Sequence, residues 1–287
     1  MRVLVFGSSG FVGRYVTESL KDSGHEAIDS NMDGRVDLID EKQVLLCILR
    51  YQPEVVISCA GIIENSPKAY QNIIFSTNII KAASNKGLDI RRIIITGSAA
   101  EYGTVASYDE AVSESHSLSA TSDYGKSKIE ETKQALEYAK VHNLDCVVVR
   151  LFNPIGRGMG EKFLITRIMS QLEQLALHER DEIEIGRLDS CRDYIDIRDV
   201  AHAITLLAEV KTTGKVYNIG SGRPTSNRQV VDQLIDTCKV SPQPSIRETM
   251  SEPEPIYASK ADIETLHKDT GWSPKYSLSE TIKEICR

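Results

Sequence analysis

A short apolar strand near the start of the chain runs directly into a glycine-rich turn, and this junction constrains the fold more than any other stretch. Residues 2–6 are almost continuously apolar, which is typical of a strand buried on both faces. The turn reads GSSGFVG over 7–13, a helical pattern follows it, and a second short strand ends at Asp29. A strand, a glycine turn, a helix and a strand that ends in an acid are the parts of a dinucleotide-binding unit.

The turn itself predicts where a cofactor pyrophosphate would bind. Gly7 and Gly10 let backbone amides approach the phosphates at the helix N-terminus. Gly13 lets the helix pack close to the sheet. The spacing is GxxGxxG instead of GxGxxG, and a tight turn without a ligand is the alternative. The turn residues that we expect to bind the cofactor are Gly7, Ser9, Gly10, Phe11, Val12 and Gly13.

An acid at the end of the second strand bears on the choice of cofactor. Asp29 can accept hydrogen bonds from the adenosine ribose, and a carboxylate there disfavours a 2′-phosphate. NAD is therefore slightly favoured over NADP. Asn31, Arg14 and Arg35 lie close enough in the sequence to keep NADP open.

The next segment, 36–38, reads as a short return to the sheet edge. Asp37 would meet the adenine amino group there, with Leu38 beside it. The alternative for Asp37 is a loop acid or an acid near a helix cap.

Strands and helices continue to alternate, with further apolar strands in 53–61, 91–98 and 146–152. This order predicts an α/β Rossmann fold, a doubly wound parallel sheet with helices on both faces. Ligands of such sheets bind beyond the carboxyl ends of the strands. The residues that this rule brings to one rim are Gly7, Ala60, Gly61, Thr96, Ser98, Phe152 and Asn153.

Composition excludes several other classes of protein. The chain has 287 residues, 41% of them hydrophobic, which is enough for a full core. A net charge of -7 without a basic stripe argues against nucleic acid and anionic membrane surfaces as partners. The apolar runs are far shorter than a membrane span, and the first strand leaves no room for a signal peptide. Six cysteines without a CxxC pair predict free thiols in the cytoplasm, and no metal site is expected.

The character of the sequence changes after Asn153, where a loop rich in glycine is followed by short strands and helices. We predict a dinucleotide-binding domain over 1–153, to which 190–212 returns. The remaining segments, 154–189 and 213–287, are predicted to form a smaller α/β lobe that binds the substrate.

Tyr124 and Lys128 are four residues apart, which puts both side chains on one face of a helix. A lysine ammonium beside a phenol stabilises the phenolate and makes a proton donor and acceptor usable near neutral pH. The spacing alone is common on solvated helices. It gains weight here because the neighbouring strand ends supply a cofactor turn and Ser98 on the same rim.

Nine segments, in this order and at these intervals, resemble the extended short-chain dehydrogenase/reductase family, the NAD-dependent epimerase/dehydratase group. The resemblance covers nearly the whole chain and is nearest to the nucleotide-diphospho-4-keto-6-deoxyhexose reductases, such as the GDP-6-deoxy-mannose reductases. The segments are GSSGFVG (7–13), PEVVISCAG (53–61), Asn78, TGSAAEYG (96–103), YGKSK (124–128), RLFNPIG (150–156), RDYIDIRDVAHA (192–203), VYNIGSG (216–222) and GWSPKYSLSE (271–280).

The resemblance implies a reduction with Ser98, Tyr124 and Lys128 as the catalytic residues. Ser98 would hydrogen-bond the reacting carbonyl, Tyr124 would donate its proton, and Lys128 would hold the nicotinamide ribose. Asn78 corresponds to a helix-kinking asparagine near the cofactor, with a buried amide bonded to backbone as the alternative.

The resemblance also implies a site for a nucleotide-diphosphate sugar. Ala99 and Asn153 would contact the substrate. Arg192 would pair with the diphosphate, unless it forms a surface ion pair with a neighbouring aspartate. The family usually places a further arginine near position 250, for which Arg247 is the nearest candidate.

Ala99 and Ala100 stand where the family's dehydratases carry an aspartate and a glutamate, which argues against a dehydratase. The remaining possibilities are a 4-keto reductase, a nucleotide-sugar 4-epimerase with tightly bound NAD, and a non-catalytic dinucleotide-binding protein. The family also implies a homodimer formed through helices near 67–86 and 122–142.

Overall fold

The computed structural model describes residues 1–104, 110–249 and 259–287. Its strands and helices alternate along the first half of these residues, up to residue 151. They are β1 (Arg2–Phe6), α1 (Phe11–Asp22), β2 (Glu26–Asp29), α2 (Glu41–Tyr51), β3 (Val55–Ser58), α3 (Gln71–Ala83), β4 (Arg92–Ser98), α4 (Asp123–Val141), β5 (Cys146–Leu151), β6 (Asn153–Ile155), α5 (Leu164–Ala176), β7 (Glu182–Ile185), β8 (Cys191–Asp196), α6 (Ile197–Glu209), β9 (Val216–Ile219), β10 (Pro224–Ser226), α7 (Asn227–Cys238), β11 (Ser245–Glu248), α8 (Glu264–Thr270) and α9 (Leu278–Ile285). Short 3-10 helices cover Pro67–Tyr70 and Ala99–Tyr102.

The central sheet has six parallel strands in the order β2-β1-β3-β4-β5-β9. Its register aligns the carboxyl ends, since Phe6 pairs with Ser58 and Ser98 pairs with Leu151. The predicted Rossmann fold is confirmed, and the strand ends form one rim as expected.

Alternate residues of the strands face two separate layers of helices. Val3 and Val5 of β1 pack into the layer that contains α1 and α6, and both are fully buried. Leu4 and Phe6 pack into the opposite layer, with apolar side chains of α2, α3 and α4. Burial on both faces explains why the strands are continuously apolar instead of alternating.

The smaller lobe contains two short sheets, with strand orders β10-β8-β6 and β11-β7. A separate apolar cluster of α5, α7 and α9 residues fills it, with Ile168, Leu234 and Ile282 buried. In the part of the chain that the structure describes, no helix is long and apolar enough to cross a membrane.

The predicted domain boundaries need correction at β9, at Trp272 and at β8, since β8 lies in the segment 190–212 that we placed in the larger domain but pairs with β6 and β10 in the smaller lobe. We placed 213–287 in the smaller lobe, but β9 pairs with β5 in the central sheet, with Ile219 beside Leu151. Trp272 also packs into the core of the larger domain, where its Nε1 donates to the backbone oxygen of Asp199 at 3.1 Å. A short apolar strand does not reveal its partner sheet, because pairing with β5 joins positions far apart in the sequence.

Candidate active site

The glycine turn leaves no room for a side chain at its first and last glycines, Gly7 and Gly13. Gly7 has a positive φ of 76°, and a Cβ at that residue would lie 2.6 Å from the backbone nitrogen of Ala60. A Cβ at Gly13 would lie 2.0 Å from the oxygen of Gly7. These two positions therefore fit glycine alone, and the turn brings β1, β3 and α1 into close contact.

The start of α1 has the features of an anion-binding helix end. Gly10 is the N-cap and makes no side-chain capping bond, and the first turn carries no acid. Amide groups at such an end carry partial positive charge and bind phosphates. Ser9 and Gly10 are exposed there, whereas Phe11 and Val12 are partly buried against the core.

Asp29 lies beside this turn at the end of β2. Its carboxylate accepts hydrogen bonds from the hydroxyl of Ser8 and from the backbone nitrogen of Asn31, the latter at 2.8 Å. Arg14, which we considered as a ligand for a 2′-phosphate, turns away to the backbone oxygen of Arg157. This arrangement retains the position predicted for a ribose-binding acid.

The segment 36–38 returns to the sheet edge but does not form a strand. Asp37 is exposed, and its carboxylate accepts a hydrogen bond from the nitrogen of Ile39 at 3.0 Å, while Asp40 caps α2. The alternative of a loop acid near a helix cap is thus the one observed. Leu38 is half-buried against the core.

Asn78 fixes this same segment from the side of α3. Its amide nitrogen donates to the backbone oxygens of Leu38 and Ile39 at 2.9 and 3.0 Å. The amide nitrogen of Asn78 is thus bonded to backbone, as in the alternative considered above, and contact of this residue with the cofactor stays a prediction.

Asn72, which sequence reasoning missed, reaches the rim instead. Its side chain clamps Ile62, accepting from the backbone nitrogen at 2.7 Å and donating to the oxygen at 3.0 Å. A Cβ at Gly61 would lie 3.7 Å from both Asn72 Oδ1 and Lys128 Nζ. The only signal in the sequence was a second asparagine on the same helix, six positions before Asn78.

Lys128 is buried, with its ammonium turned toward the strand ends. Its Nζ donates to the backbone oxygen of Thr96 at 2.8 Å and to the carboxylate of Glu131 at 2.7 Å. Burial alone would lower the pKa of Lys128, but Glu131, Tyr124 and Glu101 together outweigh it and the pKa is raised. Lys128 is therefore an ammonium ion.

The turn that Ser98 caps packs against the first turn of α4, which carries Tyr124. Ser98 ends β4 and caps the following 3-10 turn, where its Oγ accepts from the nitrogen of Ala100 at 3.1 Å. Tyr124 is half-buried in the first turn of α4, which is capped by Ser122. A Cβ at Gly125 would lie 2.6 Å from the oxygen of Ala100, so glycine lets the start of α4 press against the serine-bearing turn.

A buried polar network, which the sequence analysis did not predict, hydrogen-bonds the backbone of Ser98. Glu101 is fully buried and accepts hydrogen bonds from the nitrogen of Ser98 at 2.9 Å and from Arg150 Nε at 2.8 Å. Burial raises the pKa of Glu101, and Arg150 opposes that rise. Arg150 Nη1 also donates to the hydroxyl of Tyr102 at 3.0 Å, which in turn donates to Asn218 at 2.7 Å.

The far end of the rim leads into the smaller lobe. Phe152 is buried beside Tyr102, and Asn153 donates through its amide to the backbone oxygen of Asp193 at 2.9 Å. Asp193 is fully buried and binds the backbone nitrogens of Ser221, Gly222 and Ala261. Arg192 is half-buried on β8 next to this junction.

The prediction for Arg247 is wrong, because its guanidinium is engaged on the surface of the small two-stranded sheet. It lies on β11 and pairs with Glu182 at 2.5 Å and with Glu184, both on the neighbouring strand β7. Position 250, where the family usually places an arginine, lies outside the described residues.

Comparison with known proteins matches this geometry to one family. The family model described as NAD dependent epimerase/dehydratase family matches residues 3–220. The GDP-6-deoxy-D-mannose reductase of Pseudomonas aeruginosa is 26% identical over 296 residues, covering 99% of this chain and 95% of that protein. The dTDP-6-deoxy-L-talose 4-dehydrogenase (NAD(P)(+)) of Kitasatospora kifunensis is 26% identical over 304 residues, covering 99% and 94%.

Solved structures agree with the fold over the whole chain. The structure of RMD from Pseudomonas aeruginosa complexed with NADPH superposes with a TM-score of 0.90 at 25% identity, covering 99% of this chain and 97% of that one. UDP-glucose 4-epimerases are also among the relatives, at 23 to 28% identity.

Proposed function

Because the chain belongs to the NAD dependent epimerase/dehydratase family, we propose that it is an NAD(P)H-dependent reductase of the 4-keto group of a nucleotide-diphospho-6-deoxyhexose. The two relatives described above support this substrate class by their names. The observation that carries the proposal is the packing of the first turn of α4 against the Ser98 turn, with Lys128 one helical turn further along.

The residues present fit a dinucleotide. The close-packed glycine turn and the uncapped start of α1 would hold the pyrophosphate, and Asp29 the adenosine ribose. Gly61 and Lys128 would face the nicotinamide ribose. When bound, the reduced cofactor supplies the hydride. Asp29 favours NAD, although relatives of this chain use either cofactor by name.

Ser98 and Tyr124 would act on the substrate carbonyl oxygen. The Ser98 oxygen already accepts a hydrogen bond from the nitrogen of Ala100, so its own proton can be donated to the carbonyl. The Tyr124 hydroxyl would give its proton to the same oxygen as negative charge develops there. The Lys128 ammonium would then stabilise the resulting phenolate.

The substrate would extend from Ser98 toward the smaller lobe. Ala99 and Ala100 present no carboxylate beside the serine, so the acid and base that a 4,6-dehydratase needs are missing at those positions. Asn153 would contact the sugar or its diphosphate, and Arg192 would bind the diphosphate through its planar guanidinium.

Cofactor turnover with a panel of nucleotide-linked 4-keto-6-deoxy sugars tests the proposal. We expect NADPH or NADH to be oxidised with at least one GDP- or dTDP-linked sugar. Tyr124→Phe should remove most of this activity, by a factor of about 100 or more, because the proton donor is lost. Tyr138→Phe, a phenol on the same helix, is the matched control. Failure of every sugar to consume either cofactor would refute a reductase.

A nucleotide-sugar 4-epimerase is the second candidate, since named epimerases are among the relatives and the same three residues would serve. An epimerase keeps one cofactor through each cycle, whereas a reductase releases it. Absorbance and fluorescence of tightly bound NAD(H) in the purified protein would favour the epimerase. Binding of the dinucleotide without turnover of any sugar, equally in wild type and in Tyr124→Phe, would instead favour a non-catalytic dinucleotide-binding protein.

We further propose a cytoplasmic homodimer that associates through α3 and α4. Ile74 on α3 and Tyr70 just before it are 42% and 41% exposed, which leaves apolar surface on this side of the domain. Light scattering that gives the monomer mass of 31.9 kDa would contradict the dimer. Recovery in the membrane fraction after cell lysis would contradict the location.

A further inference from the structure

A second buried charge stands beside Lys128, and the mechanism above does not use it. Glu131 follows Lys128 by three positions on α4 and is 2% exposed. One carboxylate oxygen accepts from Lys128 Nζ at 2.7 Å. The other accepts from the hydroxyl of Ser76, which is itself 1% exposed on α3. A buried carboxylate is costly unless it is paired, so its place next to a rim lysine calls for a reason.

Without Glu131, the buried position of Lys128 would disfavour the charged form of its side chain. Transfer of an ammonium into a protein interior disfavours its charged form. The other titratable groups that face Lys128 are Tyr124 on its own helix, Glu101 below β4 and the Cys59 thiol after β3. Within the described part of the chain, Glu131 is the acid that bonds Nζ directly.

We propose that Glu131, fixed by Ser76, is a positioning residue that holds Lys128 as an ammonium ion with one N–H left for the cofactor ribose. An ammonium has three donors. Thr96 and Glu131 take two of them, and Nζ lies 3.7 Å from where a Cβ of Gly61 would be. The third donor is thereby directed to the glycine-lined rim.

The pair also sets how the site responds to pH. With Glu131 ionised, Lys128 stays protonated across the neutral range. With a neutral residue in place of Glu131, less remains to oppose the lowering of the Lys128 pKa by burial, so this pKa falls. The lysine then loses its proton at a lower pH. A charged hydrogen bond to the ribose would be lost with that proton, which weakens cofactor binding at alkaline pH.

The test is the affinity for NADH or NADPH, whichever wild type binds more tightly, measured by fluorescence titration from about pH 6 to about pH 9, a range below the ordinary pKa of lysine. This inference rests on the proposed function for the role of Lys128, but the measurement needs no sugar. We expect Glu131→Gln to lose about tenfold in affinity toward alkaline pH relative to wild type, as one charged hydrogen bond is worth. Glu130→Gln, the adjacent acid, which bonds Gln134, should follow wild type and is the matched control.

Two further variants separate charge from shape. Glu131→Asp keeps the carboxylate and should restore most of the wild-type pH dependence. Ser76→Ala removes the bond that favours the ionised carboxylate and should shift the profile in the same direction as Glu131→Gln, by less. Direct observation of the Lys128 ammonium by nitrogen-15 NMR should show its deprotonation at lower pH in Glu131→Gln.

Parallel profiles for wild type and Glu131→Gln would overturn the proposal. A uniform loss of affinity at every pH would also overturn it, because that indicates shape alone. If Glu131→Gln does not fold, Ser76→Ala decides, and a profile that coincides with wild type refutes the role. If the profiles differ as stated but no sugar is turned over, the reductase is refuted and the Glu131 proposal stands.

Discussion

Replacement of Arg150 with methionine should strongly destabilise the protein, because it leaves the Glu101 carboxylate buried without its counter-ion. The Arg150 side chain is 4% exposed and that of Glu101 is 0% exposed, so solvent screens the pair little. Arg150 also donates to the Tyr102 hydroxyl and to the backbone oxygen of Glu114, at 3.0 and 3.1 Å. Methionine fills much of the volume but replaces none of these bonds.

Breaking a buried ion pair by removal of one partner costs about 3–5 kcal/mol. Glu101 would keep two neutral donors, the nitrogen of Ser98 and the hydroxyl of Thr132, at 2.9 and 3.1 Å. The Ser98 bond survives in Glu101→Gln, whose amide oxygen can still accept it, and the Thr132 hydroxyl oxygen can accept from the new amide nitrogen. The double variant with Arg150→Met should therefore recover about 2 kcal/mol relative to the sum of the two single variants.

Equilibrium unfolding in urea at neutral pH measures all four proteins of this cycle. The predicted result is a lower midpoint with an unchanged slope for Arg150→Met and a partial recovery in the double variant. A cost below about 1 kcal/mol for Arg150→Met would refute the reasoning, since a pair that weak behaves like a surface ion pair. Additive costs would refute it as well.

Three further predictions follow from local geometry. Gly13→Ala should abolish NADPH binding measured by fluorescence, because its Cβ would lie 2.0 Å from the Gly7 oxygen, whereas Gly186→Ala, with nothing within 4 Å, should bind normally. Partial burial acts to raise the pKa of Asp145, but Lys215 and Arg92 hold that pKa below its ordinary value. Asp145→Asn should therefore be less stable at pH 7 in urea unfolding, and the deficit should shrink progressively as the pH falls below about 4, as the wild-type carboxyl takes up its proton. Alkylation of the native protein near pH 8, followed by mass spectrometry of its peptides, should label the exposed Cys238 first. Cys47 and Cys146 are buried, and burial raises their pKa to about 11 and about 12, so both should be labelled only after unfolding.

Each of these has a clear opposite outcome. Normal cofactor binding by Gly13→Ala would show that the turn is not the cofactor site. A stability deficit of Asp145→Asn that persists at acid pH would show that the lost interaction is not the ionised carboxylate. Early labelling of Cys146 would contradict the burial of β5.

Local patterns of the sequence predicted what local geometry decides. The glycine turn, the strand ends and the helix that carries Tyr124 and Lys128 each depend on a few consecutive residues, and the structure contains all three. The sequence did not reveal the role of Asn72, because six positions turn a helix by about 240° and Asn72 and Asn78 therefore face different neighbours. Only the packing of α3 reveals which face meets the rim.

Partners far apart in the sequence account for the remaining errors. Arg247 is 63 residues from Glu184, and only the pairing of β11 with β7 puts its guanidinium beside that acid. Glu101 and Arg150 are 49 residues apart and meet only once β4 and β5 are paired. A sequence read without its register cannot show which charges neutralise each other.

Transfer of deuterium from the cofactor to the sugar tests the central claim most directly. The protein is incubated with NADPH or NADH deuterated at the transferable position of the nicotinamide and with the best sugar from the panel. Mass spectrometry then measures the product. A reductase built on Tyr124 predicts one deuterium per product molecule and one oxidised cofactor per turnover, with neither in Tyr124→Phe. An altered sugar that carries no deuterium and leaves the cofactor reduced would contradict the account.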